Sequence, residues 1–165
     1  ISRNGDLVSN LWLDVNLPVR GALTPGTSTY CNWTNNTGHA LIKECEIEIG
    51  GQRIDRHYSQ WLDVYNELTD HEEQEWLGLN KPAAKNAYLK SQSTGVNNLI
   101  QLYIPLKFWF CRNPGLALPL IALQYHEVKL KLNTRGMIGL VNGDNLTTTA
   151  NRPSTCDLWA EYIYL

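Results

Sequence analysis

The chain has 165 residues, 43% of them hydrophobic and 18% charged, with a formal net charge of −2. That length suits one domain with a real core, and the near-neutral charge offers neither the basic stripe of a nucleic-acid binder nor an acidic tail. Every apolar run is too short, or too broken by proline, to span a bilayer.

Arg3-Asn4-Gly5-Asp6 reads as a turn or bulge, because Asn-Gly tolerates positive φ. Leu7, Leu11, Leu13, Val15 and Leu17 then share one face of a strand, with Ser9 the polar exception, and Pro18 ends it. Residues 20–39, rich in Gly, Thr, Asn and Pro, predict a long exposed loop. Leu41, Cys45, Ile47 and Ile49 face one way, with Lys43 the exception, while Glu44, Glu46 and Glu48 face the other. That is a strand with one buried and one wet side. Gly50-Gly51 is a hairpin signal, with Gln52 to Tyr58 the returning strand. Trp61, Val64, Tyr65 and Leu68 recur at helical spacing and predict a helix from Ser59 to about Thr69, with these four on its apolar face. Asp70 to Gly95 is polar and irregular.

Leu99 to Leu132 reads LIQLYIPLKFWFCRNPGLALPLIALQYHEVKLKL. Ile100, Leu102, Ile104, Leu106, Phe108 and Phe110 alternate as one face of an extended strand, with Pro105 marking an open or bulged edge. Asn113-Pro114-Gly115 breaks it. Leu116 to Leu123 is apolar around Pro119, which argues against a regular helix. A loop this apolar needs cover from its own domain or from a neighbouring subunit, so Leu116, Leu118, Pro119, Leu120 and Ile121 are candidate subunit-interface residues. Val128, Leu130 and Leu132 alternate with Glu127, Lys129 and Lys131 as a further strand. Gly136 to Val141 is a short strand candidate, Asn142 to Ser154 a polar loop, and Leu158, Ala160, Tyr162 and Tyr164 belong to the last strand.

An inventory of about seven strands, one helix and long polar loops predicts an all-β, two-sheet sandwich, with a jelly roll the best fit. The expected core takes Leu11, Leu13, Val15, Ile47, Ile49, Leu102, Ile104, Leu106, Phe108, Val128, Leu130, Leu132, Leu158 and Tyr162.

Chemistry is sparse. His71-Glu72 begins like a zincin helix but lacks the second His. His126 and Glu127 point to opposite faces of a strand, and His39 and His57 have no partner at ligand spacing. The His-x-His pattern of a metal-binding cupin is absent, as are G-x-S-x-G, the P-loop and G-x-G-x-x-G. No catalytic, cofactor or metal site is expected. The sequons at Asn32, Asn35 and Asn145 all fall in predicted loops, which makes them candidate glycosylation sites in a chain that meets the secretory machinery. Six Trp and eight Tyr are many for this length. Exposed rings would suit a carbohydrate-binding β-sandwich, the alternative reading, whereas core or interface packing explains them more simply.

Four stretches resemble one family, the major capsid proteins of nucleocytoplasmic large DNA viruses such as those of algae, and iridoviruses. They are ISRNGDLV (residues 1–8), EIEIGGQRIDRHYSQWLDVYNEL (46–68), IPLKFWFCRNPGLALPLIALQYHEVKLKL (104–132) and LWAEYIYL (158–165). Cys111 departs from the pattern, standing where a polar residue such as Asn is expected. The resemblance covers the framework and not the loops at 20–39, 70–98 and 133–156. It implies a double jelly roll whose trimers tile an icosahedral shell. Residues 1–165 would be most of the first jelly roll, a single domain cut from a longer chain, with its first strand before Ile1 and a second jelly roll after Leu165. The implied role is structural and non-enzymatic: a homotrimer within a capsid lattice, minor capsid proteins as further partners, no direct nucleic-acid contact, no membrane insertion, and residence in the virion after assembly in the host cytoplasm.

Cys31, Cys45, Cys111 and Cys156 lack any C-x-x-C spacing and read as free thiols of a reducing compartment. Thiol titration under denaturing, non-reducing conditions should count four; a count of two or zero overturns that reading.

Overall fold

A computed structural model describes residues 1–2, 4–17, 31–34, 36–69, 100–143 and 155–165. In chain order the elements are β1 (Leu7–Leu17), β2 (Cys31–Trp33), α1 (Thr37–Leu41), β3 (Ile42–Ile49), β4 (Gln52–His57), α2 (Ser59–Thr69), β5 (Ile100–Pro105), β6 (Leu118–Pro119), β7 (Val128–Thr134), β8 (Val141–Gly143) and β9 (Thr155–Ile163).

The alternating apolar pattern of β1 makes it the central strand of the first sheet. β9 runs antiparallel along one edge, from Leu7 opposite Ile163 to Asn16 opposite Thr155. β5 takes the other edge opposite Trp12 to Leu17, and the two-residue β6 continues that edge at Leu7 and Val8. The register between β1 and β9 slips between Val8 and Asn10. This bulge turns Val8 and Ser9 inward together. The Ser9 hydroxyl is satisfied there, donating to Glu161 Oε2 at 3.0 Å.

The second sheet has the order β4-β3-β7, and β2 pairs with β8 as a small separate ribbon. Gly50 and Gly51 have φ of +59° and +83°, the left-handed values a two-residue hairpin turn requires. A side chain at Gly50 would also sit 2.8 Å from His126 Nδ1. On the wet face Arg56 meets Glu44 at 3.0 Å, Arg53 meets Glu46 at 3.3 Å, and Lys131 meets Glu48. Exposed pairs add little stability each; their use is to hold the register of three strands.

Both sheets contribute to one core: Leu11, Leu13, Val15, Leu102 and Ile104 from the first, Cys45, Ile47 and Val128 from the second. Ile49, Leu130, Leu132 and Tyr162 are partly buried against it. Leu158 departs from expectation at 40% exposure. It lies on β9, whose only neighbour among the described residues is β1, so one side of it lacks cover.

Other expectations are corrected as well. The long central strand stops at Pro105; Leu106, Phe108 and Phe110 are still buried, the last within a 3₁₀ turn over Trp109–Cys111. Proline ends the ladder, and burial continues through the turn instead. Of the strand expected over Gly136 to Val141 only Val141 is extended, as the start of β8; Met137–Leu140 form a 3₁₀ turn, closed by the Gly139 amide on Gly136 O at 3.0 Å. Glycine disfavours the extended form there. A second helix, the five-residue α1, begins within the predicted loop 20–39 and runs two residues past it. The α2 boundaries match expectation but its face does not: Ser59, Leu62 and Asn66 are buried, whereas Trp61, Val64 and Leu68 are exposed.

Gly5 is needed for close approach rather than positive φ. A Cβ on it would lie 2.8 Å from Tyr162 Cβ. Next to it, Asp6 O accepts from the amides of Leu120 (2.9 Å) and Ile121 (3.3 Å), the Asp6 amide donates to Ile163 O (3.1 Å), and Asp6 Oδ2 accepts from the Leu165 amide (2.8 Å). The substitution Gly5→Ala should push β1 off β9 and lower unfolding free energy by about 1–3 kcal/mol in denaturant titrations.

His57 is 3% exposed, stacks 4.2 Å from the Phe108 ring, and has no hydrogen-bond partner at Nε2. Burial, aided by the Arg112 charge and opposed by Asp55, lowers its pKa to about 4. Between pH ~6.5 and ~4 the unfolded chain takes up this proton and the folded chain does not, so stability falls as pH drops through that window. Denaturant titrations at pH 7 and pH 4 should show wild type losing roughly 2–3 kcal/mol more than His57→Phe. Equal losses would remove His57 as the source.

Candidate assembly surface

The loop from Leu106 to Glu127 is built turn by turn. The Leu106 amide donates to Leu11 O at 2.9 Å, holding the chain against β1 after the ladder ends. Phe108 and Phe110 stack at 5.8 Å with near-parallel planes and fill the core below. Asn113 then caps the turn Pro114–Leu116, its Oδ1 accepting from the Gly115 amide at 2.9 Å. Two further turns are closed by the Leu123 amide on Leu120 O (3.1 Å) and the His126 amide on Leu123 O (3.0 Å). These short-range bonds give the loop fixed geometry without regular secondary structure.

This geometry splits the five candidate interface residues. Leu118 (4%) and Leu120 (2%) point into their own domain's core, whereas Leu116 (53%) and Ile121 (54%) stand in solvent. Pro119 is exposed beside them, and so is Tyr125. The own-domain and neighbouring-subunit alternatives therefore each account for part of the loop. The outward part is an apolar crest on a stiff support.

A second apolar surface runs along α2. Polar anchors set the helix rotation: Asp63 Oδ1 lies 2.6 Å from the buried His39 Nδ1 and 3.3 Å from Asn36 Nδ2, and Arg135 reaches Ser59 Oγ at 3.1 Å. Trp61 and Tyr65, one turn apart, consequently face outward, their ring centroids 5.7 Å from each other. The Arg112 guanidinium lies over both rings, 5.6 Å and 5.3 Å from their centroids. A cleft of about 240 Å³ opens beside Tyr65, with Trp12, Lys107 and Arg112 among its walls. The Arg112 cation thus takes one face of each ring, which a stacked sugar would have to avoid. The hydrophobic periodicity located this surface and left core and interface packing open for it. The charged residues bracketing it, Asp63 and Arg112, were the signal that it faces out.

The third surface is β9, where Trp159 is 62% exposed beside Leu158, followed by the exposed Tyr164 and Leu165.

The thiols near the loop are held protonated. Burial pushes Cys45 up to about 12 and Cys111 up to about 11, so neither is thiolate near neutral pH. Cys45, Cys111 and Cys156 are free. Among the described residues no three His, Cys, Asp or Glu side chains converge to suit a metal ion, and no helix is long and apolar enough to cross a membrane. His71 and Glu72 lie outside the described residues. Asn32 belongs to β2 rather than to a loop; Asn35 and Asn145 lie outside the described residues.

The sequence profile described as Major capsid protein N-terminus matches residues 1–165. All of this chain aligns with the major capsid proteins of Pyramimonas orientalis virus, at 42% identity, and Phaeocystis pouchetii virus, at 38%, over 39% and 38% of those proteins. It also superposes on the quasi-atomic model of the PBCV-1 virus capsid with a TM-score of 0.71 and 35% identity, covering 100% of this chain and 37% of that one. The chain thus spans well under half the length of these relatives. The fold is a jelly roll. With a profile match over its whole length and relatives at this identity, the chain belongs to the major capsid proteins of nucleocytoplasmic large DNA viruses.

Proposed function

We propose that this chain is part of a capsid shell subunit that associates as a homotrimer, the trimers tiling an icosahedral lattice. The observation that carries the reading is the crest of Leu116, Pro119 and Ile121: apolar side chains held rigidly outward by a loop whose neighbouring residues are core. A monomer gains nothing from that arrangement, whereas a subunit interface buries it. The exposed stripe Trp61, Val64 and Leu68 on α2 offers a further contact for a neighbouring subunit or a minor capsid protein. Support also comes from relatives named major capsid protein and from the likeness to the PBCV-1 capsid. The role is mechanical and non-enzymatic, located in the virion after assembly in the host cytoplasm.

The same reading gives β9 a further strand of the same polypeptide along its open edge, which would cover Leu158 and Trp159. Residues 1–165 expressed alone should then aggregate, while the full-length gene product sediments as a trimer. In that full-length protein, Leu116→Asp combined with Ile121→Asp should weaken self-association by at least about tenfold, the usual scale for anchor residues. A full-length wild type that sediments as a monomer overturns the trimer. A monodisperse, cooperatively folding monomer from residues 1–165 overturns the need for a further strand.

A further inference from the structure

Three strand ends meet at one end of the sandwich. The end of β1 (Leu17) and the starts of β5 (Ile100) and β9 (Thr155) lie together there by their antiparallel pairing. At the corresponding end of the second sheet, Ile42 is opposite Thr134. An open groove of about 450 Å³ lies at this end, lined by Lys43, Asn133, Thr134, Arg135, Gly136 and Gly139.

The backbone aims both cations of this groove. The β3–β7 register slips between Ile42 and Glu44, leaving Lys43 as the extra residue of a bulge. In an unbroken strand Lys43 would share the core-facing side with Cys45 and Ile47; the bulge turns it out to solvent beside the groove. Arg135 is fixed at two points, its amide donating to Leu41 O at 2.8 Å and its Nη2 to Ser59 Oγ at 3.1 Å. Ser59 is itself buried, so this anchor is firm.

The charge balance differs here from the rest of the sheet. Arg53, Arg56, Lys129 and Lys131 each have a carboxylate within 4.0 Å. Among the described residues Lys43 and Arg135 form no ion pair, and no Asp or Glu lines the groove. A guanidinium held at one amino group keeps further N–H donors for a ligand, and it forks onto two oxygens where an ammonium supplies only a point charge. Asn133 and Thr134 add neutral donors. The volume is far larger than a bare oxyanion and falls within the range of small-ligand sites. Among the described residues the walls hold no aromatic ring.

We propose that this groove binds an oxyanion carried on a small polar body, a sulfate or phosphate ester of sugar size. The test is calorimetric titration of the full-length protein with glucose 6-sulfate, glucose 6-phosphate, inorganic sulfate and glucose. At least one ester should bind, more tightly than inorganic sulfate, and glucose should not; the tighter ester identifies the source of the oxyanion. Lys43→Glu should weaken ester binding by at least about tenfold and leave the melting temperature unchanged, because its side chain makes no bond in the described fold. Arg135→Gln should weaken it comparably. Absence of ester binding up to about 10 mM, equal binding of glucose, or wild-type affinity in Lys43→Glu overturns the assignment.

Discussion

Asp6 is bonded from three directions, and much of the domain depends on it. Its carbonyl takes the amides of Leu120 and Ile121, its amide reaches Ile163, and its carboxylate takes the amide of Leu165. The apolar loop, the start of the central strand and the end of the last strand are therefore joined at one residue. The loop and the last strand each lie more than a hundred residues from Asp6 in the chain, and local bonding alone could not bring them together. Gly5 permits the arrangement, because only a residue without Cβ lets this corner rest on Tyr162. Once the corner is set, Leu118 and Leu120 are directed into the core, and Leu116 and Ile121 can only point away.

The rotation of α2 follows from a similar competition. Burying Trp61 and Leu68 would yield roughly 1.5–3 kcal/mol each by area. Turning the helix to do so would pull Asp63 from His39 and Asn36, and Ser59 from Arg135, leaving buried polar groups unpaired at about 1–3 kcal/mol apiece. The two sides are of similar size within one subunit, and the fold takes the polar solution. Its apolar stripe is then partly sheltered by Arg112 over Trp61 and Tyr65, while Val64 and Leu68 remain outside. Stability of the isolated domain and surface available to neighbours are settled by the same set of bonds.

Where period and turn chemistry agreed, the sequence reading was sound. The Gly50-Gly51 hairpin, the faces of β1 and β3 and the limits of α2 needed only local rules. The departures share a physical cause: a tertiary partner that spacing cannot reveal. Leu158 has the right parity for the core, but it sits on a strand whose other neighbour is not among the described residues. Phe108 and Phe110 keep their burial after Pro105 ends the strand, because a 3₁₀ turn can deliver side chains to the core as well as a ladder can. Ser9 looked like a polar defect, and Glu161, 152 residues away, makes it a bonded part of the core. Of the interface candidates, composition located the loop; the Asp6 corner and the turns capped by Asn113 and closed by Leu123 and His126 decided which side chains face out.

The two ends of the sandwich are built differently, and that polarity bears on a shell-forming role. At one end the connections are a two-glycine turn and a loop cross-bonded at nearly every turn, so apolar side chains there hold fixed positions. A repeating lattice needs this, since each contact is made many times and an error in its geometry accumulates across the shell. At the other end is the groove with Lys43 and Arg135, which form no ion pair among the described residues, in place of the matched charges found along the sheet. Rigid apolar contact and accessible polar chemistry are thereby separated by the length of the strands. The core between them, from Val15 and Leu102 to Ile47 and Val128, is one continuous cluster, and its close packing fixes the distance between the two ends.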